Sequence, residues 1–277
     1  VVARIDDFLR YSRPLEPQLG PVDLRTVLEE MARLVLLSGP SCVGKGPLVH
    51  ALRQHHPDLA APLVPLVLYN SRDPRPGEQE GVDYYFRSRA KIEELAKKSG
   101  FTSANVRGDL QAIEATGIRA ILDQGQDAFF EGNPFIPAKL SELSELQEIQ
   151  TLRIFLSPLS EDEILFLKDP QQRTNLEKLL PDIMRRKLLR RTKRQKINLS
   201  LKDLENIEKR VASAIVELRE GWKFDYVIPN HDGEDSEHWD AFYYPIGDAR
   251  KALLAFAALL QGEPPPGVEK WEKDLVP

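Results

Sequence analysis

The chain has 277 residues, the length of one large domain or two small ones. With 42% hydrophobic and 29% charged residues it can bury a core, which excludes a disordered tail. Lys and Arg number 38 against 43 Asp and Glu, a formal charge of −5, which excludes a globally basic nucleic-acid binder but allows a local basic patch. The single cysteine, Cys42, excludes an intramolecular disulfide and fits a reducing compartment. No apolar run approaches the roughly 20 residues of a membrane span. Residues 1–10 carry Arg4, Asp6, Asp7 and Arg10 and do not read as a secretion signal. A soluble cytoplasmic protein with no membrane partner is expected.

Residues 1–33 read as a helical arm. Ile5, Phe8 and Leu9 give Arg4–Tyr11 an apolar side, Pro14, Pro17 and Pro21 force extended backbone, and Asp23 is a candidate N-cap for a second helix. The words RIDDFLRYSRP and PVDLRTVLEE resemble the end of the dimerisation helix of sensor histidine kinases and the linker after it. That resemblance implies an arm able to pair two copies of the chain. The alternative is an arm packed on its own core. The phospho-accepting histidine and ATP-binding boxes of that family are absent.

From Leu34 onward short apolar runs alternate with helical stretches. The runs 34–37, 64–68, 118–122, 152–156 and 226–228 predict about five buried parallel strands in a three-layer α/β/α domain. Residues 160–168 and 203–218 read as helices. The expected organisation is an arm over 1–33, a domain over 34–262 and an irregular tail over 263–277, opened by Pro264-Pro265-Pro266.

The first run leads into Gly39-Pro40-Ser41-Cys42-Val43-Gly44-Lys45, followed by a helical pattern over 48–54. In the pattern GxxxxGK the glycines let backbone N–H groups turn inward around a polyphosphate. The helix N-terminus adds partial positive charge, and the lysine reaches the outer phosphates. Backbone and side chains of Gly39, Ser41, Cys42, Val43, Gly44, Lys45 and Gly46 are therefore candidate ATP contacts. The Ser or Thr expected next is replaced by Gly46-Pro47, so one N–H donor and the hydroxyl on the Mg²⁺ side are missing.

The string Ser71-Arg72-Asp73-Pro74-Arg75-Pro76-Gly77-Glu78, continued to Tyr84 and Phe86, places two arginines three apart on a proline-stiffened loop. Two guanidiniums so placed form a fork for a phosphate dianion, and a tyrosine hydroxyl can add a third donor. The alternative is a charged surface loop.

Together GPSCVGK and NSRDPRPGEQEGVDYYF resemble the GPSGxGK and TTRxPRxGExxGxDYxF motifs of guanylate kinase at the family's spacing. The likeness continues weakly through Leu152–Pro158, KLLRRT (187–192), Glu208–Arg210 and FDYVIPN (224–230). It implies a P-loop nucleoside-monophosphate kinase fold, with an acceptor-binding region over 69–117 and a helical lid over 158–215. Carried over, Arg72, Arg75, Glu78 and Tyr84 hold the acceptor phosphate. Lys45, Arg191 and Arg210 act on the transferring phosphoryl group, and Asp123 is the candidate for Mg²⁺ through water. ATP and Mg²⁺ are the implied cofactors and a phosphorylated small molecule the partner. The guanine-reading positions depart from the pattern. Leu68 stands for a serine, Ser103 for a glutamate and Gly125 for the second acid of LxIDxxG, while Leu110 stands for a phosphate-binding tyrosine. The reading is a phosphotransferase with an altered acceptor site; the alternative is an inactive module that binds a phosphorylated partner or nucleotide.

Eight of the twelve residues 185–196 are Lys or Arg and none is acidic. They read as a lid over phosphates, as a helix neutralised by nearby acids, or as a nucleic-acid patch. The absence of interleaved aromatics counts against the last. His55-His56 reads as a helix C-terminal cap. The acidic loop from His231 to His238 lacks a recognised metal-ligand spacing.

Overall fold

The computed structural model describes residues 32–277, other than Pro76 and Ile197. The predicted N-terminal arm, with its pairing role, falls almost wholly outside the described residues. In chain order the elements are β1 (Leu34–Ser38), α1 (Lys45–His55), α2 (Pro57–Ala60), β2 (Leu63–Pro65), β3 (Leu68–Asn70), β4 (Tyr84–Phe86), α3 (Arg89–Leu95), β5 (Phe101–Val106) and β6 (Asp109–Glu114). Then follow α4 (Ala115–Leu122), β7 (Asp127–Gly132), α5 (Phe135–Leu140), β8 (Thr151–Ser157), α6 (Glu161–Lys168), α7 (Leu176–Gln195), α8 (Leu201–Leu218), β9 (Tyr226–Pro229) and α9 (Gly247–Leu260).

A five-stranded parallel sheet in the order β2-β7-β1-β8-β9 forms the centre. β1 is buried throughout, and its alternation sends side chains into two different cores. Val35 and Leu37 pack under α1 and α9 with Leu48, Leu52 and Phe256. Leu34 and Leu36 pack on the other face with Phe130, Ile118 and Ile136. Farther along that second face, Phe155 and Val227 meet α6, α7 and α8. These two covered faces give the three-layer α/β/α class.

Two predicted strands differ from the structure. Residues 118–122 lie in α4, and the strand follows it as β7, where Ala128, Phe129 and Phe130 are buried. Five apolar-rich residues carry no decisive periodicity, and the helical spacing of Ile118, Ile121 and Leu122 prevails. The run 64–68 is divided between sheets. β2 ends at Pro65, which lacks an N–H and sits on the edge strand, and Leu68 opens β3 of the second sheet.

That second sheet has the order β4-β3-β6-β5. Its β5–β6 hairpin turns through Arg107 and Gly108, both at positive φ (58° and 96°), the mirror-image turn that suits a two-residue hairpin. From this turn Arg107 reaches α8. Its Nε donates to Ser213 Oγ (3.0 Å) and its Nη2 to Glu217 Oε1 (2.6 Å), with Glu217 fully buried. No helix among the described residues is long and apolar enough to cross a membrane.

The tail is irregular but firmly seated. Trp271 is 2% exposed and lies against Phe155, Phe224 and the bare Cα of Gly221. Glu269 pairs through its backbone with Val227, and its Oε2 accepts from the Glu161 N–H at the start of α6 and from Trp271 Nε1. Lys168, at the other end of α6, donates to the Asp274 carbonyl. Replacing a buried indole by a methyl removes transfer energy and leaves a cavity. Trp271→Ala should therefore cost roughly 3–5 kcal/mol, read as a lower urea midpoint at unchanged slope. A loss under about 1 kcal/mol would show that the tail is not part of the core.

Candidate active site

The loop Gly39–Gly44 leaves the C-terminal end of β1, at the centre of the sheet, and delivers its chain into α1. First-turn N–H groups of a helix have no intrahelical partner and point toward an anion. Pro47 falls in that turn. The helix tolerates it, but one such N–H is lost. Lys45 Nζ folds back onto the Gly39 and Pro40 carbonyls (2.9 and 2.8 Å). Burial pulls its ammonium below the usual lysine range, against the opposing pull of the Glu234 and Glu131 charges. Cys42 stands at φ +66°, a left-handed conformation that favours glycine. Burial, with Glu234 nearby, pushes its thiol up to about 12, so it stays neutral.

The segment after β9 closes on this loop. Asn230 Nδ2 donates to the Val43 carbonyl (2.8 Å). A Cβ on Gly44, itself at φ +103°, would come within 2.7 Å of Asn230 Nδ2 and 2.8 Å of the Asp232 carbonyl. Gly233 lies so near the Cys42 carbonyl that any side chain there would collide with it. Asp232 fastens the segment. Its carboxylate accepts from the Ala249 N–H at the start of α9 (3.0 Å) and from Ser236 Oγ (2.9 Å), and it meets His238 Nδ1 (2.9 Å).

Positive charge converges on the loop from α8 and α7, with Arg75 of the Arg72–Arg75 fork near both. Arg210 of α8 donates from Nη1 to Ser41 Oγ (2.6 Å). Burial, then the charges of Arg191, Arg75 and Arg107, push it down to about 9. Arg191 of α7 pairs with Glu234 (2.7 Å). Arg72 is gripped bidentately by Glu78 (2.6 Å to each oxygen) and lies over the Tyr84 ring at 5.0 Å. Among the described residues no carboxylate lies within ion-pair reach of Lys45, Arg75 or Arg210. Lys45, Arg75, Arg191 and Arg210, chosen from four separate stretches of sequence, thus occupy one neighbourhood.

Asp123 does not join them. It caps the C-terminus of α4 in an exposed turn that also holds Gly125, at the edge of the sheet where β7 begins. The loop lies at the opposite edge, where Ser38 is level with Gly132. A carboxylate that does reach the start of α1 is Glu131, whose Oε1 lies 3.8 Å from the position of a Cβ on Gly46. Its side chain is exposed at the surface, yet desolvation by the protein around it raises its carboxyl, opposed by Lys45. Two residues on, Asn133 donates to Gln111 Oε1 (2.9 Å) and accepts from the Phe135 and Ile136 N–H groups. Misplacing the strand at 118–122 concealed both. The signal that finds them is the buried Ala128-Phe129-Phe130 run ending in an acid.

A family model described as guanylate kinase matches residues 31–239. The chain belongs to the guanylate kinase family. It is 33% identical over 216 residues to a guanylate kinase of Synechococcus sp. (strain JA-3-3Ab), covering 77% of this chain and 82% of that one. It is 30% identical over 203 residues to a guanylate kinase of Rhodococcus jostii (strain RHA1), covering 72% and 81%. A crystal structure of guanylate kinase from Anaplasma phagocytophilum superposes with a TM-score of 0.49 at 19% identity, over 85% of this chain and 87% of that one.

In this guanylate kinase relative the basic run of α7 faces acids. Lys187 and Arg190 lie 3.7 and 3.6 Å from Asp235, and Arg194 lies 3.0 Å from Glu237. Between α6, α7 and the segment after β9 a cavity of about 760 Å³ has an apolar wall of Leu159, Phe166, Leu167 and Ile183 and a rim of mixed charge that includes Arg186, Arg190, Glu163 and Asp235. His56 makes a side-chain contact with Tyr244 (3.3 Å) rather than a metal site. Among the described residues no group of three or more His, Cys, Asp or Glu side chains is arranged to hold a metal ion.

His231 bridges Asp248 (2.6 Å) and Glu163 (2.8 Å). Burial opposes its protonation, but the two carboxylates win and raise its imidazole above 6.5. A raised folded value adds stability that is full below 6.5 and lost as pH climbs through the folded value. His231→Asn should therefore lower the melting temperature more at about pH 5.5 than at about pH 8.5. Equal losses at the two would exclude a charged bridge.

Proposed function

We propose that the protein transfers the γ-phosphoryl group of ATP to a phosphate-bearing acceptor, at a site whose acceptor half differs from one built for GMP. The observation that carries this is the convergence of Lys45, Arg191 and Arg210 on one phosphate loop, with Arg75 alongside. In the proposed reaction an oxygen of the acceptor phosphate attacks the γ-phosphorus while the bond to the β-phosphate oxygen breaks and ADP leaves. Such a transfer needs positioning and positive charge more than covalent chemistry.

The loop N–H groups and Lys45 hold the β- and γ-phosphates, and Arg191 and Arg210 draw off charge as the γ-phosphoryl moves. Arg72, Arg75 and Tyr84 hold the acceptor phosphate, and Glu78 fixes the plane of the Arg72 guanidinium. The apolar wall of the cavity supplies surface for the base of the donor. Glu131, near the start of α1, would meet Mg²⁺ through water in place of Asp123. One carboxylate with the substrate phosphates is a common Mg²⁺ environment. The metal would supply charge neutralisation between the β- and γ-oxygens.

The acceptor half lacks the acids that guanine requires. Leu68 is buried in an apolar core, Ser103 pairs with Ala112 in the hairpin, and Asn133 and Gln111 bond each other. None offers a carboxylate to the N–H donors of guanine, so binding should follow phosphate more than base. A second reading, a module that binds but does not transfer, is favoured by the missing N–H and hydroxyl at Pro47.

Two experiments test these readings. Calorimetry with Mg·ATP should show Lys45→Ala at least tenfold weaker than wild type; equal binding would remove the loop from the mechanism. Titration with GMP, AMP, dTMP and CMP should give similar affinities, each abolished by Arg72→Ala. Strong preference for GMP with efficient turnover would instead make this an ordinary guanylate kinase, and binding without turnover of any acceptor would favour the module.

A further inference from the structure

Of the acids Asp232, Glu234, Asp235 and Glu237 after β9, three have ordinary explanations or lie away from the phosphate loop. Asp235 serves Lys187 and Arg190, and Glu237 meets Arg194 at the surface. Asp232 holds the segment itself together. Glu234 is different, because it faces the cations to which the donor phosphates are assigned. Its Oε2 accepts from Arg191 Nη1 at 2.7 Å, with both side chains about one-fifth exposed. Lys45, Arg210 and Cys42 all lie within its electrostatic reach.

The pairing is incomplete in a telling way. Glu234 engages one nitrogen of Arg191, while Arg191 Nε is buried and has no partner. A guanidinium makes its strongest contacts to oxyanions through two parallel N–H donors. The backbone beneath Glu234 is pinned by the Gly233–Cys42 approach, the Asn230 contacts and the Asp232 ties. The carboxylate can therefore leave by side-chain rotation alone, without unfolding the segment.

We propose that Glu234 is an internal counter-ion of the donor-phosphate site, which the terminal phosphates of the nucleotide displace from Arg191. This rests on the reading of Gly39–Gly46 as the donor-phosphate loop. Glu234 already occupies Arg191 Nη1 and Nε is buried, so a phosphate that takes Nη1 at contact distance must drive the carboxylate off it, since two anions on one nitrogen repel. Glu234 thereby sets donor affinity. It holds Lys45, Arg191 and Arg210 together against their own repulsion, and every anion that enters must compete with it.

The test is calorimetric titration of wild type, Glu234→Gln, Glu234→Ser, Glu237→Gln and Lys45→Ala with metal-free ATP, tripolyphosphate and adenosine. Glu234→Gln and Glu234→Ser should bind ATP and tripolyphosphate at least tenfold more tightly than wild type, with adenosine unchanged. Glu237→Gln, in the surface pair with Arg194, should match wild type. Two different replacements keep the test intact if one fails to fold, which circular dichroism would show. Unchanged or weaker ATP binding by the folded Glu234 variants, with Lys45→Ala impaired, overturns the counter-ion alone. Lys45→Ala equal to wild type overturns the loop assignment instead.

Discussion

Mutual repulsion among like charges is the constraint around which this molecule is organised. Lys45, Arg75, Arg191 and Arg210 approach one loop whose own contribution is a set of N–H donors, again positive in sense. Such a cluster holds only if neighbouring elements brace each member. Arg210 is braced by Ser41, Arg191 by Glu234, and Lys45 by two loop carbonyls. The bracing groups come from the phosphate loop and from the segment after β9. The phosphate loop is in turn shaped by close contacts with that same segment. Site and scaffold are therefore one packing problem.

Much of this was legible in the chain. β1, α1, β8 and β9 follow from buried runs and from the turn chemistry of GPSCVGK. The charged residues with fixed spacing within a motif, Lys45, Arg72 and Arg75, were identifiable because their chemistry is local. Arg191 and Arg210 came only through likeness to a family, since nothing in a basic helix says which of eight cations turns toward a loop more than a hundred residues away. The carboxylates were the weakest part. Asp123 sits in a motif-like string, yet its position in the fold is decided by the direction of β7, which five ambiguous apolar residues could not fix. Glu131, Glu234 and Glu217 carry no local signal, because their importance comes from which charges the fold brings beside them.

The same logic explains the two segments that read as anonymous. The basic run of α7 looked like a nucleic-acid patch, a solvated helix or a lid. Its neutralisation by Glu234, Asp235 and Glu237 shows that acids forty residues later in the chain were matched to it. The tail, an irregular stretch rich in proline, supplies the large aromatic side chain that closes the core beneath α6 and α8. Irregular backbone is no guide to energetic weight when a buried Trp is involved.

The Arg107–Glu217 contact carries a mechanical consequence. Arg107 stands at the tip of the β5–β6 hairpin and Glu217 in the last turn of α8, and Glu217 is shut away from water with one oxygen lacking a partner. Pulling the tip from the helix would remove the only cation paired with this buried carboxylate and leave it the Ser213 hydroxyl alone, at a cost of about 3–5 kcal/mol. Hairpin tip and helix are thus riveted at this point. The second sheet and the C-terminal half of α8 are thereby coupled, so a displacement of one is a displacement of the other.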